Sequence, residues 1–447
     1  MTQIAAREAY LADLLSQCRQ LGKAKRESCS HGLKEVRDMA AEYVLSSRFP
    51  TTKDEEWRFT DISPILETPF QVSDVNHEPG LSLSQLTLPV SDKQALPLRL
   101  VFVNGYYAPH LSSVDASLVP ALGLGVFVGN LSQAPAPINV HIREYLGKNQ
   151  EYSDVFSALN LTGIVDAAVI YIPKNQEIET PIHILYITMG GETPILSQPH
   201  CLVIAEPGSS VTLVEDYTTM GNSPGFTNAL TQVVVGENAA VNHIRLQRET
   251  QVAVHIGKSA IAQARDSRYT CTAVSLGAKI SRHNLEVVQT GVQTETTLNG
   301  LTMISGTQLA DTHSAIMLNH PYGKSEQLQK NIIGDKAHAV FNGKICVPKP
   351  AQLTDAGQLN RNLLLSNKAR VDTKPQLEIT ADNVKCSHGA TVSQLEDDEV
   401  FYLQSRGIDQ DAARKLLVYA FAMDILYRIP ILSLRETLSQ YVSAHSV

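Results

Sequence analysis

The chain has no C-x-x-C pair: its six cysteines (Cys18, Cys29, Cys201, Cys271, Cys346 and Cys386) lie scattered over 447 residues. That spacing excludes a zinc site of paired cysteines and a disulfide framework, and it predicts free, mostly buried thiols. No G-x-x-x-x-G-K-[ST] is present, so no P-loop nucleotide site is expected. No G-x-S-x-G supplies a serine nucleophile, and no H-E-x-x-H supplies a peptidase zinc pair. Gly123-Leu124-Gly125-Val126-Phe127-Val128-Gly129 is glycine-rich. Its spacing is wrong for a dinucleotide loop and no helical pattern follows, so it reads as a turn between strands. Charge is also scarce, at 18% of residues against roughly 25% in soluble domains. The net charge of −8 and pI near 6.0 leave no basic face for nucleic acid. No apolar run reaches the ~18 residues of a membrane span; the most apolar late segment, Leu416 to Leu426, is broken by Asp424. The opening Met1-Thr2-Gln3-Ile4-Ala5-Ala6-Arg7-Glu8 has no apolar core of a secretion signal. A soluble, cytoplasmic protein is expected.

What is present divides into three parts: 1–97, 98–392 and 393–447. The first carries helical spacing up to about residue 48: Tyr10, Leu11, Leu14, Leu15 and Cys18, then Leu33, Val36, Met39, Ala40 and Tyr43. Pro50 ends it, and Glu55-Glu56-Trp57-Arg58-Phe59-Thr60 follows with the only tryptophan, which reads as a pin between this region and the next. From 98 to 392 short β-rich runs recur, from Leu98–Val103 through Thr231–Val235 to Ala339–Val347 and Leu377–Ile379. Pro207-Gly208, Gly236-Glu237-Asn238, Leu276-Gly277-Ala278 and Asn299-Gly300 read as the turns between them. No helix-length pattern interrupts the later runs, which excludes alternating βαβ units. A solenoid of stacked coils accommodates so many strands; a β-sandwich is the alternative, since no fixed repeat period is visible. From about 395 the pattern is helical again. Acids at Glu396 to Glu399 suit a first turn, Gly407 a stop, and Asp409 a cap for a helix to about Tyr427. A third helix fits Ser433 to about Ser443. The middle helix is apolar on more than one face, so a partner surface joins core burial as a reading of Leu416, Leu417, Ala420 and Phe421.

The chemistry concentrates in Val384-Lys385-Cys386-Ser387-His388-Gly389-Ala390-Thr391. In a strand, residues two apart share a face, so Cys386 and His388 project together, with Lys385 and Ser387 opposite. A thiolate and an imidazole are fitting ligands for iron, zinc or an iron–sulfur fragment. The adjacent Lys385 would favour the thiolate. Two ligands make half a site, so other strands or another chain must supply the rest. His313, His320, His338 and Cys346 read as structural. A carbohydrate-active β-helix enzyme would need a paired-carboxylate site, and no acid pair stands out. A lone metal-storage protein would need a complete ligand set.

Longer wording carries a resemblance. Ala351-Gln352-Leu353-Thr354-Asp355-Ala356-Gly357-Gln358-Leu359-Asn360-Arg361-Asn362-Leu363-Leu364-Leu365-Ser366 resembles the SufB/SufD family of iron–sulfur cluster assembly proteins. So do Thr373-Lys374-Pro375-Gln376-Leu377-Glu378-Ile379 and the segment around Cys386. Phe341-Asn342-Gly343-Lys344-Ile345 and Phe401-Tyr402-Leu403-Gln404-Ser405-Arg406-Gly407-Ile408 also fit. The Cys386 segment and the block from Glu55 to Thr60 sit closer to the SufD branch of the family than to the SufB branch. The resemblance implies a mainly β chain, a right-handed parallel β-helix flanked by N- and C-terminal helical domains. It implies a non-catalytic scaffold subunit in a complex with a paralogous subunit, SufB, and with two copies of an ABC-type ATPase, SufC. The C-terminal helices, about Glu396–Tyr427, would dock SufC. Cys386 and His388 would be metal ligands shared with SufB in iron acquisition or nascent cluster formation. No cofactor would be tightly held by the isolated chain; iron or a cluster would bind transiently in the complex. A homodimer is a further possibility for the isolated chain, because solenoid ends expose edge strands.

Overall fold

The computed structural model describes residues 3–24, 33–73, 80–86, 88–89, 97–114, 125–147, 154–221 and 223–445; Cys29, Gly123 and Leu124 lie outside them. The chain begins with helices α1 (Gln3–Ala24) and α2 (Leu33–Ser46) and the short α3 (Ser63–Leu66). Strands β1 (Gln71–Val72), β2 (Leu98–Val103), β3 (Tyr106–Tyr107) and β4 (Phe127–Asn130) follow. Two helices come next, α4 (Ala136–Tyr145) and α5 (Val155–Thr162), then β5 (Ala168–Ile172), β6 (Glu177–Met189) and β7 (Ile195–Ser197). Seven strand pairs complete the β region. They are β8 and β9 (His200–Ala205, Ser210–Met220), β10 and β11 (Gly225–Val235, Ala240–Gln247), and β12 and β13 (Val254–Gln263, Arg268–Ser275). Then come β14 and β15 (Ile280–Gln289, Glu295–Ile304), β16 and β17 (Leu309–Met317, Lys324–Ile333), β18 and β19 (His338–Val347, Asp355–Leu364), and β20 and β21 (Arg370–Ile379, Lys385–Ser393). Helices α6 (Asp397–Ser405), α7 (Gln410–Leu426) and α8 (Leu432–His445) close the chain.

From β8 onward successive strands alternate between two sheets. One runs β20-β18-β16-β14-β12-β10-β8-β5-β4 and the other β21-β19-β17-β15-β13-β11-β9-β6-β2-β3. Coil-to-coil pairing is parallel, for example β12 on β14 and β19 on β21; the β2–β3 and β4–β5 pairs at the start of the sheets are antiparallel. This is a β-solenoid of about eight turns with helices at both chain ends, not a sandwich. Its coils differ in length: Phe226 pairs with Val254, Val254 with Ile280, and His338 with Arg370. The steps of 28, 26 and 32 residues explain why no fixed period shows in the sequence. At one corner Asn238, Asp266, Gln293, Tyr322 and Leu353 all have positive φ. Each donates its N–H one coil onward, as from Tyr322 to the Gln352 carbonyl. Asn and Asp favour that conformation; Tyr and Leu are held in it by the stack.

Asn299-Gly300 is not a turn but the middle of β15. A Cβ at Gly300 would lie 1.7 Å from Gln329 Oε1, so the glycine makes room for an inward side chain of the next coil. Helices α4 and α5 also fall inside the region expected to be β. Helix α5 is buried at every position, so it shows no amphipathic stripe; Asp154 caps it by accepting from the Phe156 and Ser157 N–H groups.

Between the sheets the core is apolar at its start and polar in the middle. Glu215, almost fully buried, accepts from Thr231 Oγ1 at 2.5 Å and pairs with His243 Nε2 at 3.0 Å. His243 Nδ1 meets the Tyr269 hydroxyl at 2.9 Å. Arg245 lies 5.0 Å above the Tyr217 ring and contacts His255, whose other nitrogen is 2.9 Å from Glu249.

The outer faces carry the helical regions. On the β20-to-β4 sheet, Trp57 is buried against Phe156, and the Arg282 guanidinium stacks 3.9 Å from its ring centre. Arg282 also donates to the Glu56 carbonyl at 2.7 Å and to Asp311 at 2.6 Å. Trp57 thus pins the N-terminal region to the solenoid. Trp57→Ala is expected to cost about 3–5 kcal/mol, read as a lowered urea midpoint. On the opposite sheet, Val418, Ala422, Met423, Ile425 and Leu426 of α7 pack on Leu301, Met303, Leu328 and Ile332 of β15 and β17. As the sequence predicts, Asp409 caps α7, accepting from the Ala412 N–H, and Gly407 has positive φ after α6.

Candidate metal-handling site at the open end of the solenoid

Strands β20 and β21 are the last of their sheets, so one side of each pairs with no strand among the described residues. Cys386 and His388 stand on β21, and the register fixes which way they face. Cys386 ends a row that runs Val241, Tyr269, Thr296, Ser325, Ala356. His388 ends the neighbouring row of His243, Cys271, Leu298, Gln327, Gln358. Both rows point between the sheets: Tyr269, Cys271, Leu298 and Ala356 belong to the interior cluster, and Cys386 packs against it. The two side chains therefore share the inward face of the terminal coil, Cys386 half-buried and His388 exposed.

Burial, reinforced by the Asp355 charge, pushes the Cys386 thiol above its ordinary range. The sequence expectation that Lys385 would favour the thiolate is thereby corrected. Strand alternation sends Lys385 to the other face, and desolvation acts on a thiol that no cation among the described residues offsets. His388 makes no hydrogen bond or ion pair among the described residues. No cluster of three or more His, Cys, Asp or Glu side chains suited to a metal occurs among them. The pair can thus offer one sulfur and one nitrogen to whatever closes the end.

The C-terminal helices present the second surface. Leu416 and Ala420 of α7 are exposed, whereas Leu417 and Phe421 are half-buried. Phe421 turns toward the solenoid, with Lys330 Nζ 4.4 Å from its ring centre and 3.1 Å from its carbonyl oxygen. Lys330 also pairs with Asp424 at 2.8 Å. Phe401 and Tyr402 on α6 are 70% and 58% exposed. The sequence reading did not single them out as a surface, although two adjacent exposed aromatics after an acidic first turn were the available signal. No helix among the described residues is long and apolar enough to cross a membrane.

Comparison with known proteins places the chain that builds this solenoid in a family. Residues 186–421 match the family described as SUF system FeS cluster assembly, SufBD core domain, and residues 5–184 match the SufBD protein N-terminal region. The chain belongs to the SufBD family. It is 42% identical to an iron–sulfur cluster assembly SufBD family protein of Synechocystis, over 98% of this chain and 99% of that one. It is 36% identical to the chloroplastic protein ABCI7 of Arabidopsis thaliana, over 93% and 86%. To the iron–sulfur cluster assembly protein SufD of Escherichia coli it is 32% identical, over 86% of each chain.

Proposed function

We propose that the chain is a scaffold subunit of a SufBCD iron–sulfur assembly complex, in which SufB closes the open end of its solenoid. One observation carries the reading: Cys386 and His388 share the inward face of a terminal strand with one free edge, with no third ligand beside them among the described residues. Iron, as cargo, would take the His388 nitrogen and the Cys386 sulfur, the thiol losing its proton to solvent on binding. SufB would supply the remaining ligands. The chain itself performs no catalysis; SufC binds and hydrolyses ATP. The free thiols Cys18, Cys201 and Cys271 suit the reducing cytoplasm, where we place it.

Leu416 and Ala420 form the outward contact for SufC, and Leu417 and Phe421 anchor that surface to the sheet. Helix α7 packs on β15 and β17 and is tied there by Lys330–Asp424 and by Arg428 to Asn299 at 2.9 Å. Strand β17 pairs with β19, and β19 with β21. Movement of α7 as two SufC subunits dimerise would therefore reach the strand that holds Cys386 and His388. A tagged chain isolated from its native cell is expected to bring down a paralogue and an ABC-type ATPase. Leu416→Glu is expected to lose the ATPase and keep the paralogue, because Leu416 supports no core contact. Purification of the wild-type chain with neither partner would refute the reading.

A further inference from the structure

Behind His388 the inward row is polar, and its amides all point one way. Gln327 Nε2 donates to Ser314 Oγ at 2.8 Å, and Gln358 Nε2 donates to Gln327 Oε1 at 2.8 Å. Ser314 Oγ lies 3.1 Å from Gln327 Oε1 as well; with Gln327 placed so, turning Gln358 over would set its oxygen against that of Gln327. The carbonyl oxygen of Gln358 is left over. It is buried and has no hydrogen-bond partner, in a residue only 3% exposed. A buried acceptor without a donor is destabilising, so native structures rarely leave one alone. The residue one coil outward in register is His388, about 4.8 Å away across the strand pair. Its imidazole carries a ring N–H and is uncommitted. Gly343, on the facing sheet, makes room for this amide: a Cβ there would lie 2.3 Å from Gln358 Nε2.

We infer that Gln358 is a positioning residue for the metal-handling site: its Oε1 accepts the ring N–H of His388 and turns the other ring nitrogen, lone pair outward, toward the cargo metal. Histidine ligands are generally oriented by such an acceptor on the second nitrogen, which fixes the tautomer and raises ligand basicity. The inference rests on the reading of His388 as a ligand and adds to it the group that aims the ring.

The test uses the full chain with ¹⁵N-labelled histidine, His388 signals being assigned by their loss in His388→Ala. Gln358→Met keeps the volume and removes the acceptor; Gln358→Glu keeps an acceptor. A single fixed tautomer is expected in the wild type and in Gln358→Glu, and a solvent-averaged ring in Gln358→Met. In the assembled complex, Gln358→Met is expected to lower cluster formation about 10- to 100-fold, with recovery in Gln358→Glu. An unchanged His388 ring in Gln358→Met overturns the inference. If that variant does not fold, a solvent-averaged ring in the wild-type chain overturns it alone. Normal cluster formation by His388→Ala would refute the ligand reading instead, and would leave the tautomer result standing.

Discussion

Glu215→Leu is expected to destabilise the solenoid by about 3–5 kcal/mol, the cost of breaking a buried ion pair from one side. Glu215 is the anion that faces His243 directly and Arg245 through space, and all three are buried. Removing it leaves the Arg245 guanidinium inside the sheets with a reduced share of negative charge, and leaves Thr231 and His243 without their acceptor. Equilibrium unfolding in urea reads the loss as a lowered midpoint. Glu215→Gln, which retains an acceptor for Thr231, is expected to lose less. The same residue sets an acid limit. Burial raises the Glu215 carboxyl, but the His243 hydrogen bond and charge, the Arg245 charge and Thr231 outweigh it and hold the group at about 2, below its ordinary 4.5. A depressed folded-state value means stability that is fully present above pH 4.5 and is lost as pH falls toward 2. The wild type should therefore lose stability steeply between those values, and Glu215→Gln should show a shallower slope over that window. Equal slopes would mean that Glu215 is not charged in the folded chain.

The solenoid was legible because its strands are short, β-branched and separated by turn residues, and because βαβ alternation was absent. Its period was hidden by coils of unequal length. Helix α5 escaped notice because burial on all sides removes the apolar stripe that reveals a helix. Asn299-Gly300 misled because glycine marks a close inward approach as readily as a turn. The shared face of Cys386 and His388 followed from strand alternation alone. That this face is the inner one, and that desolvation raises the thiol, needed the register of six successive strands. The interior network was hardest to see, because Glu215, Thr231 and His243 come from different strands. Its trace in the sequence is a glutamate between Leu213 and Tyr217 on one strand face, where an apolar residue would be ordinary.

The largest functional effect is expected at the open end. Cys386→Ala and His388→Ala each remove one of the two donors that the proposed site takes from this chain, and neither side chain supports the core as Trp57 or Glu215 does. His388 is exposed, and Cys386 is only half-buried at the last coil. The variants should fold and keep their partners while losing cluster formation by at least about tenfold, since even supporting groups around a metal are worth 10- to 100-fold. The direct measurement is iron and cluster content, by metal analysis and absorbance, of the anaerobically purified complex carrying the wild-type chain or either variant. Cluster in the wild-type complex and at least tenfold less in each variant, at unchanged subunit ratio, is the expected result. Full cluster content in the complex bearing both substitutions together would contradict the assignment of a shared metal site to the end of this solenoid.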